Sequence, residues 1–243
     1  MQDKESIRRF VWRLLEEKKA TMPPKPVEGR IPNFVNAERA AENLAKLKEW
    51  GKAEILKVNP DSPQRPVRER ALLEGKKIIM PSPRLREGFV LLDPRIIPRK
   101  TIRYASTIRG AMMLGKRLSL SELRSLGSVD LIVEGSVAVN LMGERIGKGG
   151  GYGDLEYAIL REIGLADENT LITTTVHGLQ VLREKFPQDP WDVSVDIIVT
   201  STRVYRVLEG RARRPRGILW EYLDHEKIRS IPLLAELRAS SKQ

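Results

Sequence analysis

Cysteine is absent from this 243-residue chain, and histidine occurs only twice. The lack of cysteine excludes disulfides, thiol nucleophiles and thiolate metal sites. No apolar run approaches the roughly 20 residues that a membrane-spanning helix needs. The first ten residues, MQDKESIRRF, are charged where a signal peptide would be apolar. We therefore predict a soluble, cytoplasmic protein that does not associate with membranes.

Two common phosphate-binding motifs are also missing. A Walker A loop has four residues between its first glycine and the Gly-Lys pair, and then a serine or threonine. Here only three residues separate Gly143 from Gly147, and Gly149 occupies the position of the hydroxyl. A dinucleotide fingerprint, G-x-G-x-x-G, would require a third glycine where Tyr152 or Asp154 stands. The sequence therefore excludes both of these nucleotide-binding loops.

Positive charge dominates the composition, since 43 lysines and arginines face 32 aspartates and glutamates, a net charge of +11. Partners should be anionic: a nucleotide, a polyanionic metabolite, nucleic acid or an acidic protein surface. The densest basic run, RVYRVLEGRARRPRG at 203–217, precedes Trp220 and Tyr222. Basic residues with nearby aromatics can follow an RNA backbone. No RNA-recognition or zinc-finger pattern accompanies them, so we favour a solvated loop with weak, nonspecific nucleic-acid binding.

Apolar periodicity predicts alternating helices and strands. Residues 5–18 are predicted to form an amphipathic helix whose apolar side carries Ile7, Phe10, Val11, Leu14 and Leu15. Residues 53–85 indicate a strand, a helix and a second strand entering Pro81, a βαβ rhythm that implies a parallel sheet. The segment DLIVEGSVAV, residues 130–139, is predicted to be one central strand. Two later segments, TLITTTVHGLQVL and VSVDIIVTSTRVYRV, contribute more strands.

The segment RIGKGGGYGDLEYA, residues 145–158, is the strongest candidate for a binding site. Glycines let backbone N–H groups converge on an anion, and Arg145 and Lys148 add positive charge. Asp154 is predicted to be the N-cap of a following helix, on which apolar residues recur at Leu155, Ile159 and Ile163. An anion site beside a carboxylate suits a magnesium-bound nucleoside triphosphate. The alternative is a flexible turn with a capping aspartate.

Three separated motifs carry a resemblance to a known family. The segments KESIR, GERIGKGGGYGD and DVSVDIIVT resemble the signature regions of the 5-formyltetrahydrofolate cyclo-ligase family, also called methenyltetrahydrofolate synthetase, over about residues 1–205. RIPNF and GYGDLEYA resemble in particular the branch of methenyltetrahydrofolate synthase domain-containing proteins. The resemblance implies an α/β fold, a three-layer sandwich with a mainly parallel central sheet, similar to ribose-5-phosphate isomerase and coenzyme A transferases.

The same resemblance implies roles for individual residues, with ATP and Mg²⁺ as cofactors and a reduced folate as substrate. Catalysis would involve Lys4, Arg145 and Tyr152. ATP would be bound by Lys4, Arg8, Arg145, Gly147, Lys148, Gly149, Gly150, Gly151, Tyr152 and Gly153. The folate would contact Glu38, Lys148 and Tyr152. Mg²⁺ would be held by Asp154 and Asp192. On spacing alone, Lys4 and Arg8 also fit an ordinary solvated helix face.

The implied reaction is ATP-driven closure of 5-formyltetrahydrofolate to 5,10-methenyltetrahydrofolate, which forms a C–N bond, or the reaction of a close relative on another small substrate. A second hypothesis, from a different class, is a non-catalytic nucleotide- or RNA-binding protein that retains the fold. We expect one α/β domain over residues 1–217, including the N-terminal helix, and a charged, partly helical extension over 218–243. The predicted assembly is a monomer or a homodimer.

Three positions depart from the family's usual pattern. Gly153 stands where a second aromatic residue is usual, Glu134 where many members have proline, and Asn140 where many have aspartate. The first of these removes a wall from the expected nucleotide pocket.

Overall fold

The computed structural model describes residues 3–208 and 214–240. The helices in these ranges are α1 (Lys4–Glu17), α2 (Ala37–Ala45), α3 (Lys48–Lys52), α4 (Arg65–Leu73), α5 (Ile102–Ala105), α6 (Ile108–Leu114), α7 (Leu120–Arg124), α8 (Tyr152–Glu162), α9 (His225–Ser230) and α10 (Pro232–Ser240). The strands are β1 (Ile55–Val58), β2 (Lys77–Pro81), β3 (Phe89–Leu92), β4 (Lys116–Leu118), β5 (Leu131–Glu134), β6 (Ala138–Asn140), β7 (Arg145–Ile146), β8 (Leu171–Thr175), β9 (Val181–Leu182), β10 (Ile197–Val199) and β11 (Val204–Arg206). Within these ranges, no helix is both long and apolar enough to cross a membrane.

A large, mainly parallel sheet forms the centre, with the strand order β11-β10-β8-β5-β1-β2-β3-β4. Strands β10, β8, β5, β1 and β2 run parallel. At one edge β11 pairs antiparallel with β10, and at the other β3 pairs antiparallel with both β2 and β4. The β1–α4–β2 unit has the βαβ order that the sequence predicted. This sheet confirms the predicted fold class.

Helices cover both faces of the sheet, because successive side chains of a strand point to opposite sides. In β5, Leu131 and Val133 join the core beneath α2 and α4, whereas Ile132 joins the core beneath α8 and α10. Strand β10 alternates in the same way, with Ile198 on the α8 side. The nearly unbroken apolar sequence of the central strands therefore reflects burial on both faces.

The predicted single strand over 130–139 is wrong: it is divided between two sheets. Strand β5 ends at Glu134, and the chain turns through 135–137 into β6, which belongs to a small sheet of order β7-β6-β9. This small sheet packs against α1 through Ile7, Val11 and Ile146. Helix α1 matches its predicted position, but Phe10 is 41% exposed, contrary to prediction, because that side of the helix faces solvent.

Residues 214–240 pack onto the α/β core. Ile231, Leu234 and Leu237 are buried in the same cluster as α8 residues. Arg214 forms an ion pair with Asp196 and donates to the Thr170 carbonyl at 2.8 Å. Within the predicted basic run, Arg214 therefore has a structural contact and Arg216 is exposed, whereas Arg211 and Arg213 lie outside the described residues.

Candidate functional site

The glycine loop, defined as residues 145–154, borders a cavity of about 590 Å³ at the carboxyl ends of the central strands. The strand ends contribute Asn59 after β1, Ser82 after β2 and Glu134 from β5. Ligands of open α/β sheets collect at this edge. The glycine-loop residues that line the cavity are Arg145, Gly147, Lys148, Gly150, Gly151, Tyr152, Gly153 and Asp154. The structure thus brings most of the sequence-predicted site residues to one cavity.

The N-cap of helix α8 lies three residues earlier than the sequence predicted. This N-cap is Gly151, at φ 66°, a left-handed conformation that favours glycine. Asp154 is therefore not the N-cap: it lies in the first turn of the helix, where its carboxylate is still favourable to the helix dipole. Gly149, at φ +107°, gives the loop a second turn of this kind. The prediction of a capping aspartate is wrong because Tyr152 and Gly153, which were expected in the loop, are the first two residues of the helix.

Arg145 is buried and holds Asp154 in place. Its guanidinium forms an ion pair with Asp154 Oδ1 and donates to the carbonyl oxygens of Gly135 at 3.1 Å and Val193 at 3.3 Å. The Val193 amide donates to the same Asp154 oxygen at 3.0 Å. Burial opposes the charge of Arg145, but nearby carboxylates, Asp154 first, hold its pKa above the ordinary value. Arg145 therefore stays charged and orients the aspartate.

Asp192 lies next to this pair and is bound by the N-terminal helix. Lys4 of α1 forms an ion pair with Asp192 and another with Asp189 at 2.7 Å. Burial raises the pKa of Asp192, and the negative charge of Asp154 adds to the increase. Lys4 thus joins the N-terminal helix to the segment before β10.

The two aspartates fit a magnesium ion that also binds phosphate. Asp154 contacts Arg145 through Oδ1, and Asp192 contacts Lys4 through Oδ2. The second carboxylate oxygen of each aspartate makes no hydrogen bond within residues 3–208 and 214–240. In the same ranges, no group of three acidic, histidine or cysteine side chains forms a complete metal site. Mg²⁺ is typically held by one or two carboxylates together with substrate phosphates, and this donor set matches that pattern.

The remaining predicted cations are also at the loop. Arg8 donates from Nε to the Gly147 carbonyl at 2.7 Å and pairs with Glu5 at 2.9 Å. Lys148 pairs with Asp61 at 2.7 Å and is 41% exposed. Each side chain can turn from its present partner towards an incoming anion.

Glu38 does not line this cavity, so its contact with the folate stays a prediction. It lies on α2 and lines a separate groove of about 490 Å³, together with Asn33, Arg65 and Arg103. This groove lies on the α4 side of the sheet. The structure therefore separates the predicted folate-contacting glutamate from Lys148 and Tyr152.

A buried ionic cluster beneath the cavity was missed by the sequence reading. Lys57 of β1 lies 2.5 Å from Glu134 and 2.7 Å from Glu156, and all three are almost fully buried. Asn59 donates to Glu156 at 2.7 Å and accepts from the Gly135 amide at 2.9 Å. Burial, partly offset by Lys57, raises the pKa of Glu156 to about 7. The sequence feature that could have indicated this cluster is the single lysine in the largely apolar segment AEILKV.

The chain matches known proteins over most of its length. The model of the 5-formyltetrahydrofolate cyclo-ligase family matches residues 1–201. A methenyltetrahydrofolate synthase domain-containing protein from Mus musculus is 40% identical over 245 residues, which cover 99% of this chain and 64% of that protein. Its counterpart from Danio rerio is 37% identical over 242 residues, 98% of this chain and 62% of that protein. The chain thus spans less than two thirds of the length of these relatives.

One solved structure has a similar fold. The 5,10-methenyltetrahydrofolate synthetase of Aquifex aeolicus superposes with a TM-score of 0.50 at 21% identity, covering 90% of this chain and 99% of that chain.

Proposed function

The chain belongs to the 5-formyltetrahydrofolate cyclo-ligase family, as its three motifs predicted, and we propose that it is an ATP- and Mg²⁺-dependent cyclo-ligase. The proposed reaction converts 5-formyltetrahydrofolate and ATP into 5,10-methenyltetrahydrofolate, ADP and phosphate. The proposal includes the cytoplasmic location and the monomer or homodimer that we predicted from the sequence.

One observation carries this proposal: the glycine loop, the buried Arg145–Asp154 pair and the Lys4–Asp192 pair meet beside one cavity. Backbone N–H groups of the loop and the start of α8 suit phosphate oxygens. Lys148 and Arg8 add charge from either side of the loop. The site therefore has the groups that bind a triphosphate, and the proposed reaction requires no nucleophilic side chain.

The chemistry fits a site of this composition. The formyl oxygen attacks the γ-phosphorus and ADP leaves; N10 then attacks the activated formyl carbon and loses its proton, and phosphate departs with the former formyl oxygen. Phosphoryl transfer needs mainly positioning and charge neutralisation, which Lys4, Arg145 and Lys148 supply. Asp154 and Asp192 would hold Mg²⁺, which supplies further positive charge at the phosphoryl group.

The folate would lie along the cavity wall formed by Ile31, Pro83, Arg84 and Ile108. Apolar side chains suit a flat ring system, and the exposed guanidinium of Arg84 suits the carboxylates of a folate tail. Glu38 lies outside this cavity, so the proposed substrate site does not include it.

A coupled assay tests the proposal. The wild-type chain is incubated with ATP, Mg²⁺ and 5-formyltetrahydrofolate, and the methenyl product and ADP are measured together. We expect one ADP for each methenyl group, and no product when either ATP or Mg²⁺ is omitted. If the chain binds ATP by calorimetry but forms no methenyl product from any reduced folate, the folate assignment is wrong and only the nucleotide site stands.

A further inference from the structure

The C-terminal segment 218–240 reaches the glycine loop although it lies beyond the family match, which ends at residue 201. Ile218 donates its amide to Glu162 of α8 at 3.0 Å. Leu233 and Leu234 of α10 are buried in the core that contains Leu155. The segment is thus fixed along α8, the helix whose N-terminus faces the glycine loop.

Lys227 of α9 is the residue of this segment that contacts the loop. Its Nζ donates to the Gly150 carbonyl at 3.1 Å and lies 5.2 Å from the ring centre of Tyr152. A Cβ built on Gly151 would be 3.8 Å from the same Nζ. The ammonium group of Lys227 therefore contacts the loop and lies close to Tyr152, the first residue of α8.

Lys227 differs from the other cations at the loop because its side-chain ammonium forms no ion pair within residues 3–208 and 214–240. Lys4 and Arg145 are paired with Asp192 and Asp154. Arg8 and Lys148 are likewise paired, with Glu5 and Asp61. In the described part of the chain, Lys227 forms no ion pair, and its partners are a carbonyl oxygen and a ring face. Its charge is therefore available to an anion without the loss of an existing salt bridge.

A second cavity, of about 210 Å³, lies between this segment and the loop. Its walls include Gly149–Gly151, Asp154, Trp191, Tyr222 and Lys227. The rings of Trp191 and Tyr222 are in contact, with centroids 4.8 Å apart, and Tyr222 is 52% exposed. Leu155, Ala158 and Leu223 provide an apolar floor. An aromatic pair on an apolar floor next to a cation and a glycine loop suits a nucleoside phosphate.

We propose that the C-terminal segment forms a wall of the nucleotide site, in which Lys227 binds a phosphate and the Trp191–Tyr222 pair stacks on the base. This assignment rests on the proposed function only in taking ATP as the nucleotide. It adds a phosphate ligand and a base subsite that the residues of the family motifs do not include.

Calorimetry with two ligands tests the proposal on the full-length chain. ATP carries both a base and phosphates, whereas inorganic tripolyphosphate carries phosphates alone. Lys227→Met should weaken both ligands about tenfold or more, because it removes a charge-assisted contact. Arg229→Met is the matched control: it removes the same charge from an exposed position of the same helix and should change neither affinity.

Tyr222→Ala separates the base from the phosphates. It should weaken ATP by about tenfold and leave tripolyphosphate unchanged, since stacking on an aromatic side chain acts only on the base. Tyr104→Ala, at an exposed tyrosine outside both cavities, is its control. Thermal unfolding without ligand identifies any variant that is not folded. If either Lys227→Met or Tyr222→Ala does not fold, the binding data of the remaining variant test the proposal.

The outcomes distinguish the two proposals. If wild-type protein binds neither ATP nor tripolyphosphate, the proposed function fails. If wild type binds ATP and the Lys227 and Tyr222 variants bind it equally well, the proposed wall is wrong while the nucleotide site stands.

Discussion

Glu134 occupies the space where a side chain at residue 153 would begin. A Cβ built on Gly153 would lie 2.8 Å from Oε2 of Glu134, closer than real Cβ contacts come. Lys57 holds the other oxygen of Glu134 at 2.5 Å, so the carboxylate cannot easily move away. We therefore predict that Gly153 and Glu134, two positions at which the sequence departs from the expected family pattern, are energetically coupled.

Gly153→Ala should lower the free energy of unfolding by about 1–3 kcal/mol, the usual cost of overpacking. Chemical denaturation measures this, with Gly178→Ala as the control, because a Cβ at Gly178 meets nothing within 4 Å. The cost should shrink in a Glu134→Ala background, giving a coupling of about 0.5–3 kcal/mol. Strict additivity of the two changes would contradict the predicted coupling.

Asp154→Asn should impair both stability and magnesium-dependent binding. Asparagine lacks the charge that compensates the buried Arg145, so we expect a loss of about 1–3 kcal/mol in the free energy of unfolding. Mg²⁺ should no longer strengthen ATP binding in calorimetry, and the reaction rate should fall by about 10² or more. Wild-type stability in this variant would show that Arg145 does not depend on the pair.

Lys4→Met tests whether the N-terminal helix is part of the site. It removes the cation that joins α1 to Asp192, and the affinity for ATP should fall about tenfold or more. Arg9→Met, an exposed neighbour on the same helix, should bind ATP like wild type. Equal ATP affinities in the two variants would show that Lys4 contributes no more to ATP binding than an ordinary solvated residue of the helix.

The basic run should divide into structural and solvent-facing arginines. Arg214→Ala breaks the contacts with Asp196 and Thr170 and should cost about 1–3 kcal/mol of stability. Arg216→Ala, at an exposed position, should stay within about 0.5 kcal/mol of wild type. Any nucleic-acid binding should weaken with salt, with a slope about one unit smaller in the Arg216 variant. Tight binding at physiological salt would favour the RNA-binding hypothesis.

Local patterns in the sequence were sufficient for the parts of the fold that depend on neighbouring residues. The apolar run of β5 and the βαβ rhythm around β1 and α4 predicted a parallel sheet, because a strand buried on both faces needs apolar side chains throughout. Glycine spacing and the helical period after Leu155 located the binding loop. The exact start of α8 escaped, since the sequence does not reveal which glycine adopts a positive φ.

Pairings between distant segments escaped the sequence entirely. Lys57 and Glu134 are separated by 77 residues and meet only because β1 and β5 are adjacent in the sheet. The division of residues 130–139 between two sheets likewise depends on where α1 packs.

The sequence by itself thus determined the class of fold, the glycine loop that borders the cavity and the positive charge that suits an anionic ligand, because each follows from composition or from short-range spacing. Only the tertiary structure decided which charges neutralise one another, that Gly153 makes room for Glu134, and that the Lys227 ammonium lies against the loop without an ion pair to any described residue. Ionic and packing contacts of this kind depend on distances between side chains, and chain folding sets those distances.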